Sequence, residues 1–457
     1  MAAEPGTMTA SAAAPDLDLE WLAGWIAGRR WFGSKRRRVA GLELLDLALL
    51  DPAEPPLLLA LVEVRFDAGP SEIYQLPLVR GEGGAVEDGL TEPRDPMRIL
   101  QLLTAGARVG SEAGQVRFEW RQGAAPPPAG ARPRPLGGEQ SNSSVVFGEN
   151  AILKAYRRLE DGASPELEVL RFLAERGFAQ VPPLLGSYEY RGRRLEATLG
   201  ILQELLPDGR DGWELTLDGL ASDPEALLGP VRGLGQTIGA LHAALASAPD
   251  DPAFAPEELG AGFSARLVAA LDDEIERVFS DLPEDDERLA PIAGAAESLR
   301  ERVRALAAVA DPGMAIRVHG DLHLGQALLA DRGWAILDFE GEPARPLPER
   351  RAKHSPLRDV AGILRSLAYA PLAARLQRGA DPPAGWEARA RAALLDGYLA
   401  SADPALLPAS RSGREQLLSL YELEKAVYEL RYELDHRPDW VEIPVAGIAR
   451  LLEAAAR

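Results

Sequence analysis

The sequence predicts an α+β protein whose strands gather in its first half and whose helices fill its second. Three observations predict it. Apolar runs bounded by Gly- and Pro-containing turns recur as far as Leu205. From Pro207 onward the apolar residues recur at helical spacing. Between early and late strands lies Ala124-Ala-Pro-Pro-Pro-Ala-Gly130, the clearest linker in the chain.

In order along the chain, residues 1–15 are rich in Ala and Pro and read as a disordered tail. Leu17, Leu19, Leu22, Trp25 and Ile26 give a first helix within Asp16–Arg30, broken by Trp31-Phe-Gly-Ser-Lys-Arg-Arg-Arg38. Leu42–Leu50, Leu57–Phe66 and Ile73–Val79 read as strands of a small sheet, and Pro96–Ala107 as a helix. Residues 16–123 therefore read as a small sheet domain with a helix on either side. Residues 124–206 follow as a β, β, α, β segment: strands Ser144–Phe147 and Ala151–Tyr156, a helix Pro165–Arg176 with Pro at its favoured first position, and a strand Leu199–Leu205. Residues 207–457 are helical, with expected helices at Leu234–Leu245, Ala265–Phe279, Ile292–Val309, Arg358–Leu367, Glu387–Leu399 and Glu415–Leu434. One β interruption stands out, Ala327-Leu-Leu-Ala and Trp334-Ala-Ile-Leu-Asp338 joined by Asp331-Arg-Gly333.

The 457 residues are 46% hydrophobic and 26% charged, a globular composition, with a net charge of −20. That charge repels polyanions, so neither nucleic acid nor an anionic membrane is an expected partner. With no cysteine, disulfides and Cys-ligated zinc are excluded. No apolar run reaches the roughly 18 residues a bilayer span needs, and the first residues lack a signal peptide's basic start. A cytoplasmic location is expected.

The chemistry concentrates in Arg317-Val-His-Gly-Asp-Leu-His-Leu-Gly-Gln326 and Asp338-Phe-Glu-Gly341. Phosphoryl transfer from a nucleotide needs one carboxylate to orient the attacking hydroxyl or take its proton, and an amide and a second carboxylate to hold Mg²⁺. Asp321 fits the first role. Gln326 and Asp338, at the open ends of the expected hairpin, fit the second. His319 is expected to bond the loop backbone, and His323 to stand close to substrate. Both are placed with Glu340 on the substrate side. For Glu340 a metal-ligand role and a loop hydrogen bond are both open.

Upstream, Lys154 stands in the strand Ala151–Tyr156 and should pair with an acid on the following helix, as strand lysines of kinases do. Of Glu166 and Glu168, Glu168 is expected because it lies further into the helix. Leu136-Gly-Gly-Glu-Gln-Ser-Asn-Ser-Ser-Val145 precedes that strand. It reads as a small polar loop whose Gln140, Ser141, Ser143 and Ser144 reach phosphate oxygens. Gln203, Glu204 and Leu206 end the last strand where a hinge would meet adenine. Near the C-terminus Tyr421, Tyr428 and Tyr432 share one helix face beside Glu429 and Glu433, followed by Arg437 and Trp440. Tyr428, Glu429, Tyr432, Arg437 and Trp440 are the expected sugar contacts, since aromatic faces stack on sugars and charged groups bind hydroxyls.

These strings together resemble actinobacterial maltokinases and their close relatives, glucosamine kinases. The resemblance runs nearly end to end, through Arg30-Trp-Phe-Gly-Ser-Lys, Glu139-Gln-Ser-Asn-Ser-Ser-Val-Val, Asp211-Gly-Trp-Glu, His319-Gly-Asp-Leu-His-Leu-Gly-Gln, Ser355-Pro-Leu-Arg-Asp and Lys425-Ala-Val-Tyr-Glu. It implies a bilobal eukaryotic-kinase-like fold of the aminoglycoside phosphotransferase type, with an N-terminal cap subdomain, a β-rich N-lobe and a helical C-lobe. It implies ATP and Mg²⁺, with Asp321 catalytic and Gln326 and Asp338 on the metal. The expected reaction is phosphorylation of maltose to maltose 1-phosphate for α-glucan synthesis. The alternative is phosphorylation of glucosamine to glucosamine 6-phosphate, and a third reading is an inactive nucleotide-binding scaffold. Some such enzymes are fused to or associate with trehalose synthase. Here any such contact is expected between chains.

Overall fold

The computed structural model describes residues 17–80, 86–91, 94–128, 130–136, 141–283, 285–343 and 345–453. The tail expected at 1–15 lies outside them, as does Gln140. Two compact units emerge, one within Met1–Ala174 and Pro182–Pro207, the other within Glu175–Val181 and Asp208–Arg457.

The first unit begins with α1 (Leu19–Ala27), whose N-cap Asp18 accepts from Trp21 N at 2.9 Å. Then follow β1 (Val39–Asp51), β2 (Leu57–Phe66), β3 (Glu72–Arg80), β4 (Val86–Asp88), α2 (Arg94–Thr104), β5 (Arg108–Gly110), β6 (Gly114–Trp120), β7 (Pro133–Pro135), β8 (Asn142–Phe147), β9 (Ala151–Tyr156), β10 (Arg158–Leu159), α3 (Pro165–Glu175), β11 (Leu184–Gly192) and β12 (Glu196–Glu204). One antiparallel sheet runs β1-β2-β3-β10, with β4 on β3. Leu58, Ala60, Val62 and Val64 alternate along β2 and pack with Leu22 and Ile26 of α1, Trp31 and Phe32. The intervening Leu57, Leu59 and Leu61 are buried too, which is why β2 reads as a continuous apolar run. The second sheet runs β5-β6-β11-β12-β9-β8-β7. It places β9 between β12 and β8, so Lys154 sits on an interior strand with its side chain 13% exposed, not at a solvated edge.

The second unit holds β13 (Arg210–Asp211), α4 (Gly212–Ser222), α5 (Leu228–Leu245), β14 (Glu257–Glu258), α6 (Ala261–Ser280), α7 (Ala296–Ala307), β15 (Met314–Ala315), β16 (Ala327–Ala330), β17 (Gly333–Ile336), α8 (Leu347–Arg350), α9 (Leu357–Arg378), α10 (Trp386–Ser401), α11 (Arg411–His436) and α12 (Glu442–Glu453). The expected hairpin is β16–β17, with Ala327 opposite Ile336 and Ala330 opposite Gly333, and β13 adds a third strand. The helix α9 crosses beneath the loop before this hairpin. A Cβ at its Gly362 would collide with the Leu322 carbonyl, so glycine is what lets helix and loop meet there. No described helix is long and apolar enough to cross a membrane.

Candidate active site

The turn Val318-His-Gly-Asp321 needs a left-handed residue, and Gly320 supplies it at φ +85°. Asp359 of α9 lies under the turn. Its two oxygens accept from His319 N (2.8 Å) and Gly320 N (2.9 Å), and His242 Nε2 of α5 lies 3.2 Å away. The surrounding donors, led by the His242 imidazole, outweigh burial and hold the Asp359 carboxyl down at about 2. His319 is buried. Its Nε2 donates to Leu337 O at 2.7 Å, and its Nδ1 accepts from Asp321 N at 3.3 Å. It bonds loop backbone, as expected. Its place among substrate contacts is corrected, because both ring nitrogens are turned to the protein.

At the far ends of the hairpin, Gln326 Nε2 donates to Asp338 Oδ2 at 3.0 Å. Asp338 has φ +60°, the one non-glycine with positive φ among the described residues. Such a conformation costs energy in a non-glycine residue and is held by its surroundings, and it accumulates at functional sites. The two expected metal-side residues are therefore adjacent, with an amide and a carboxylate as donor set. Hard divalent cations take such oxygens.

A cavity of about 640 Å³ adjoins Asp321. Its wall includes Asp211 and Glu214 at the start of α4, His323 of the loop, and Lys425, Tyr428, Glu429, Tyr432 and Glu433 of α11, with Arg437 and Trp440 at its rim. All five expected sugar contacts therefore line it, as does His323, whereas His319 and Glu340 are not in its lining. The Glu340 backbone carbonyl accepts from Arg350 Nη1 at 3.2 Å. Burial holds the His323 imidazole below its ordinary range, so it is neutral at pH 7. Tyr421, expected on the same helix face as Tyr428, is 1% exposed and belongs to the core. Glu429 is anchored by the buried Arg365 of α9 (2.6 Å), and Glu433 pairs with Arg437 (2.7 Å). The Arg437 guanidinium lies 5.2 Å from both the Tyr432 and the Trp440 rings.

In the first unit Lys154 Nζ donates to Glu166 Oε2 at 3.0 Å, and Tyr156 Oη donates to the same oxygen at 2.6 Å. The expectation of Glu168 as the lysine's partner is corrected to Glu166. The cause is helix phase. Glu166 shares a face with the buried Val169, Leu170 and Leu173, while Glu168 is half-buried. Ser144 lies in β8, where a strand was expected, and Ser143 belongs to the same strand rather than to the loop before it. Ser144 is opposite Lys154 in register and shares its face. Ser143 points the other way and accepts from Arg157 Nε at 2.7 Å, so its placement toward phosphate is corrected. Ser141 is exposed ahead of the strand. Gln203 and Glu204 end β12, and Leu206 follows it. Glu204 N and Leu205 N donate to Pro183 O and Asn150 O, both at 2.9 Å.

Sequence reasoning assigned no role to Asp359 or Lys425, although both stood in quoted strings. Lys425 Nζ lies 3.3 Å from Asp321 Oδ1 and bonds Glu342.

Residues 132–342 match the phosphotransferase enzyme family, and residues 25–123 match the maltokinase N-terminal cap domain. A glucosamine kinase of Streptacidiphilus jiangxiensis is 30% identical over 440 residues, 88% of this chain and 97% of that protein. A glucosamine kinase of Mycolicibacterium smegmatis is 28% identical over 356 residues, 70% and 79% of the two chains. A solved glucosamine kinase in complex with glucosamine, ADP and inorganic phosphate superposes with a TM-score of 0.71 at 25% identity, covering 94% of this chain and 99% of that one. The chain belongs to the phosphotransferase enzyme family and carries a maltokinase N-terminal cap domain. It has the kinase-like fold of that family and is an ATP-dependent phosphotransferase with an alcohol group as acceptor.

Proposed function

We propose that this enzyme transfers the γ-phosphoryl group of ATP to a hydroxyl of glucosamine. One observation carries the choice of acceptor. The cavity beside Asp321 is lined by five carboxylates, those of Asp211, Glu214, Asp321, Glu429 and Glu433, against two cations, Lys425 and Arg437. An amino sugar is cationic at neutral pH and gains in such a field, whereas a neutral disaccharide does not. The two glucosamine kinase relatives support the same reading.

In the proposed reaction Asp321 accepts the hydrogen bond of the acceptor hydroxyl and sets it in line. The acceptor oxygen bonds to the γ-phosphorus, the bond to the bridging oxygen breaks, and ADP leaves with the electron pair. The hydroxyl proton passes to Asp321 and then to water. Gln326 and Asp338 are the proposed holders of Mg²⁺, which when bound neutralises phosphate charge. Lys154, oriented by Glu166, is the proposed cation for the nucleotide phosphates, with Ser141 and Ser144 on their near side. The end of β12, from Gln203 to Leu206, is the proposed reader of the base.

Maltose is the second reading, favoured by the maltokinase N-terminal cap match over 25–123. A role in glycogen synthesis, a cytoplasmic location and association with a trehalose synthase go with it. Co-elution of the two purified proteins tests the association. An ADP-release assay with glucosamine, maltose and glucose in parallel decides the acceptor. Turnover of maltose without glucosamine sinks the first reading, and turnover of none leaves the scaffold.

A further inference from the structure

Lys425 stands on α11 with its side chain 12% exposed, at the wall of the acceptor cavity. Its Nζ reaches Asp321 Oδ1 at 3.3 Å and Glu342 Oε1. A lysine bonded to a buried glutamate has an ordinary explanation, neutralisation of that glutamate. Here the explanation falls short. Glu342 is also bonded by Arg345 and lies 3.8 Å from Arg358, so the lysine shares that charge with two guanidinium groups, and Glu342 accounts for only one of its two contacts. The other contact is the one to Asp321.

A carboxylate rotates softly about its last torsion, and its two oxygens exchange places unless one is held. Asp321 N is bonded to His319, which fixes the backbone and not the carboxylate. We propose that Lys425 is a positioning residue for phosphoryl transfer, pinning Oδ1 of Asp321 so that Oδ2 is the oxygen presented to the acceptor hydroxyl. The inference deepens the kinase reading and rests on the role given there to Asp321. The other charged and titratable groups facing the pair are His319 and His323 from its own loop, Asp338 from the hairpin, Glu342 and Arg358, and Tyr428 from α11.

The test uses the full chain with Lys425→Met, Lys425→Arg and the double variant Lys425→Met/Glu342→Gln. Two quantities are read: steady-state kinetics with the sugar the wild type turns over, and the melting temperature of each variant. Lys425→Met is expected to lower kcat about tenfold or more with the KM for ATP little changed, since the effect lies in orienting the reacting groups. Lys425→Arg, which keeps the charge, should restore part of kcat. The double variant removes the glutamate along with the lysine. It should regain melting temperature and not kcat. Recovery of kcat in the double variant, or a wild-type kcat in Lys425→Met, overturns the proposal. If the wild type phosphorylates no sugar, the kinase reading fails by itself, whereas an active wild type beside a Lys425→Met enzyme of equal kcat fails the positioning role alone.

Discussion

Asp359 carries the turn that presents Asp321. One of its oxygens accepts from His319 N at 2.8 Å and the other from Gly320 N at 2.9 Å, from a position 38 residues beyond Asp321 in sequence. Both donors are backbone groups at the point where the chain turns left-handed, so the shape of the loop bearing Asp321, the proposed catalytic carboxylate, is written into a side chain on another element.

Asp359→Asn keeps the size and removes one acceptor. An amide turns an NH₂ toward one of the two N–H groups, and an unsatisfied buried donor costs about 1–3 kcal/mol. The variant should melt at lower temperature. It should also lose kcat by roughly tenfold or more, because small misplacements of reacting groups are costly. The KM for ATP should stay near wild type. Wild-type kcat in a destabilised variant would show that the loop keeps its shape without Asp359.

Acid should destabilise the fold in two windows. Burial, then Arg358 and Arg345, pushes the His354 imidazole down to about 3. The unfolded chain protonates that histidine near pH 6.5, so between about 6.5 and 3 the unfolded state binds more protons and stability falls as pH falls. Asp359 and Glu342 titrate at about 2 in the fold. Their contribution, full above the ordinary carboxylate range near 4, is lost as pH drops toward 2. His354→Gln should flatten the upper window alone. Urea midpoints at pH 7 and pH 5 measure it, and an unchanged difference between them counts against His354.

The parts of the site that were legible are local. His319-Gly-Asp321 and the β16–β17 hairpin lie within one short stretch, so spacing and turn residues place Asp321, Gln326 and Asp338. Asp359 and Lys425 were not legible, because each meets the loop through tertiary packing with no spacing to announce it. Glu166 was within reach. Its face is marked by Val169, Leu170 and Leu173, but depth in the helix was weighed in place of phase. The strand β11, Leu-Leu-Gly-Ser-Tyr-Glu-Tyr-Arg-Gly, was missed because its polar residues hide it, although Ser187, Tyr188 and Tyr190 are buried between β6 and β12. Ser143 was read as loop because Ser and Asn are turn formers, and pairing across β8–β9 overrode that preference.

The corrected lysine partner is directly testable. Glu166→Gln should weaken ATP use, raising its KM or lowering kcat by about tenfold, since the acceptor that orients Lys154 loses its charge. Glu168→Gln should cost less than Glu166→Gln, because the Lys154 ammonium is bonded to Glu166 at 3.0 Å. The reverse ranking would return the role to Glu168.

On the metal side, Asp338→Ala removes a hard oxygen donor and the residue held at φ +60°. A higher Mg²⁺ concentration should be needed for half-maximal rate, with the apparent affinity for ATP falling in parallel. Asp321→Asn should leave the Mg²⁺ requirement alone and lower kcat by about 10² or more. An unchanged Mg²⁺ requirement in Asp338→Ala would remove that residue from the metal.

The rim of the cavity gives the cleanest test of the acceptor. Tyr432 is 41% exposed, so Tyr432→Ala opens no hole in the core and should leave the melting temperature nearly unchanged. Its ring, the Arg437 guanidinium and the Trp440 ring form one layered edge, and truncating any of the three loosens the other two. If that edge meets the sugar, Tyr432→Ala and Trp440→Ala should raise the sugar KM several-fold, about 1 kcal/mol each, and spare the KM for ATP. Deeper in the cavity, Glu429→Gln and Glu433→Gln separate the two acceptors by charge. For glucosamine the loss of a carboxylate should raise KM by roughly tenfold, whereas a neutral sugar should feel far less. The measurement is the ratio of the two KM changes in one preparation. Equal changes for cationic and neutral sugars would mean that these carboxylates serve Arg365 and Arg437 rather than the acceptor's amine, and the choice of glucosamine over maltose would lose its physical basis.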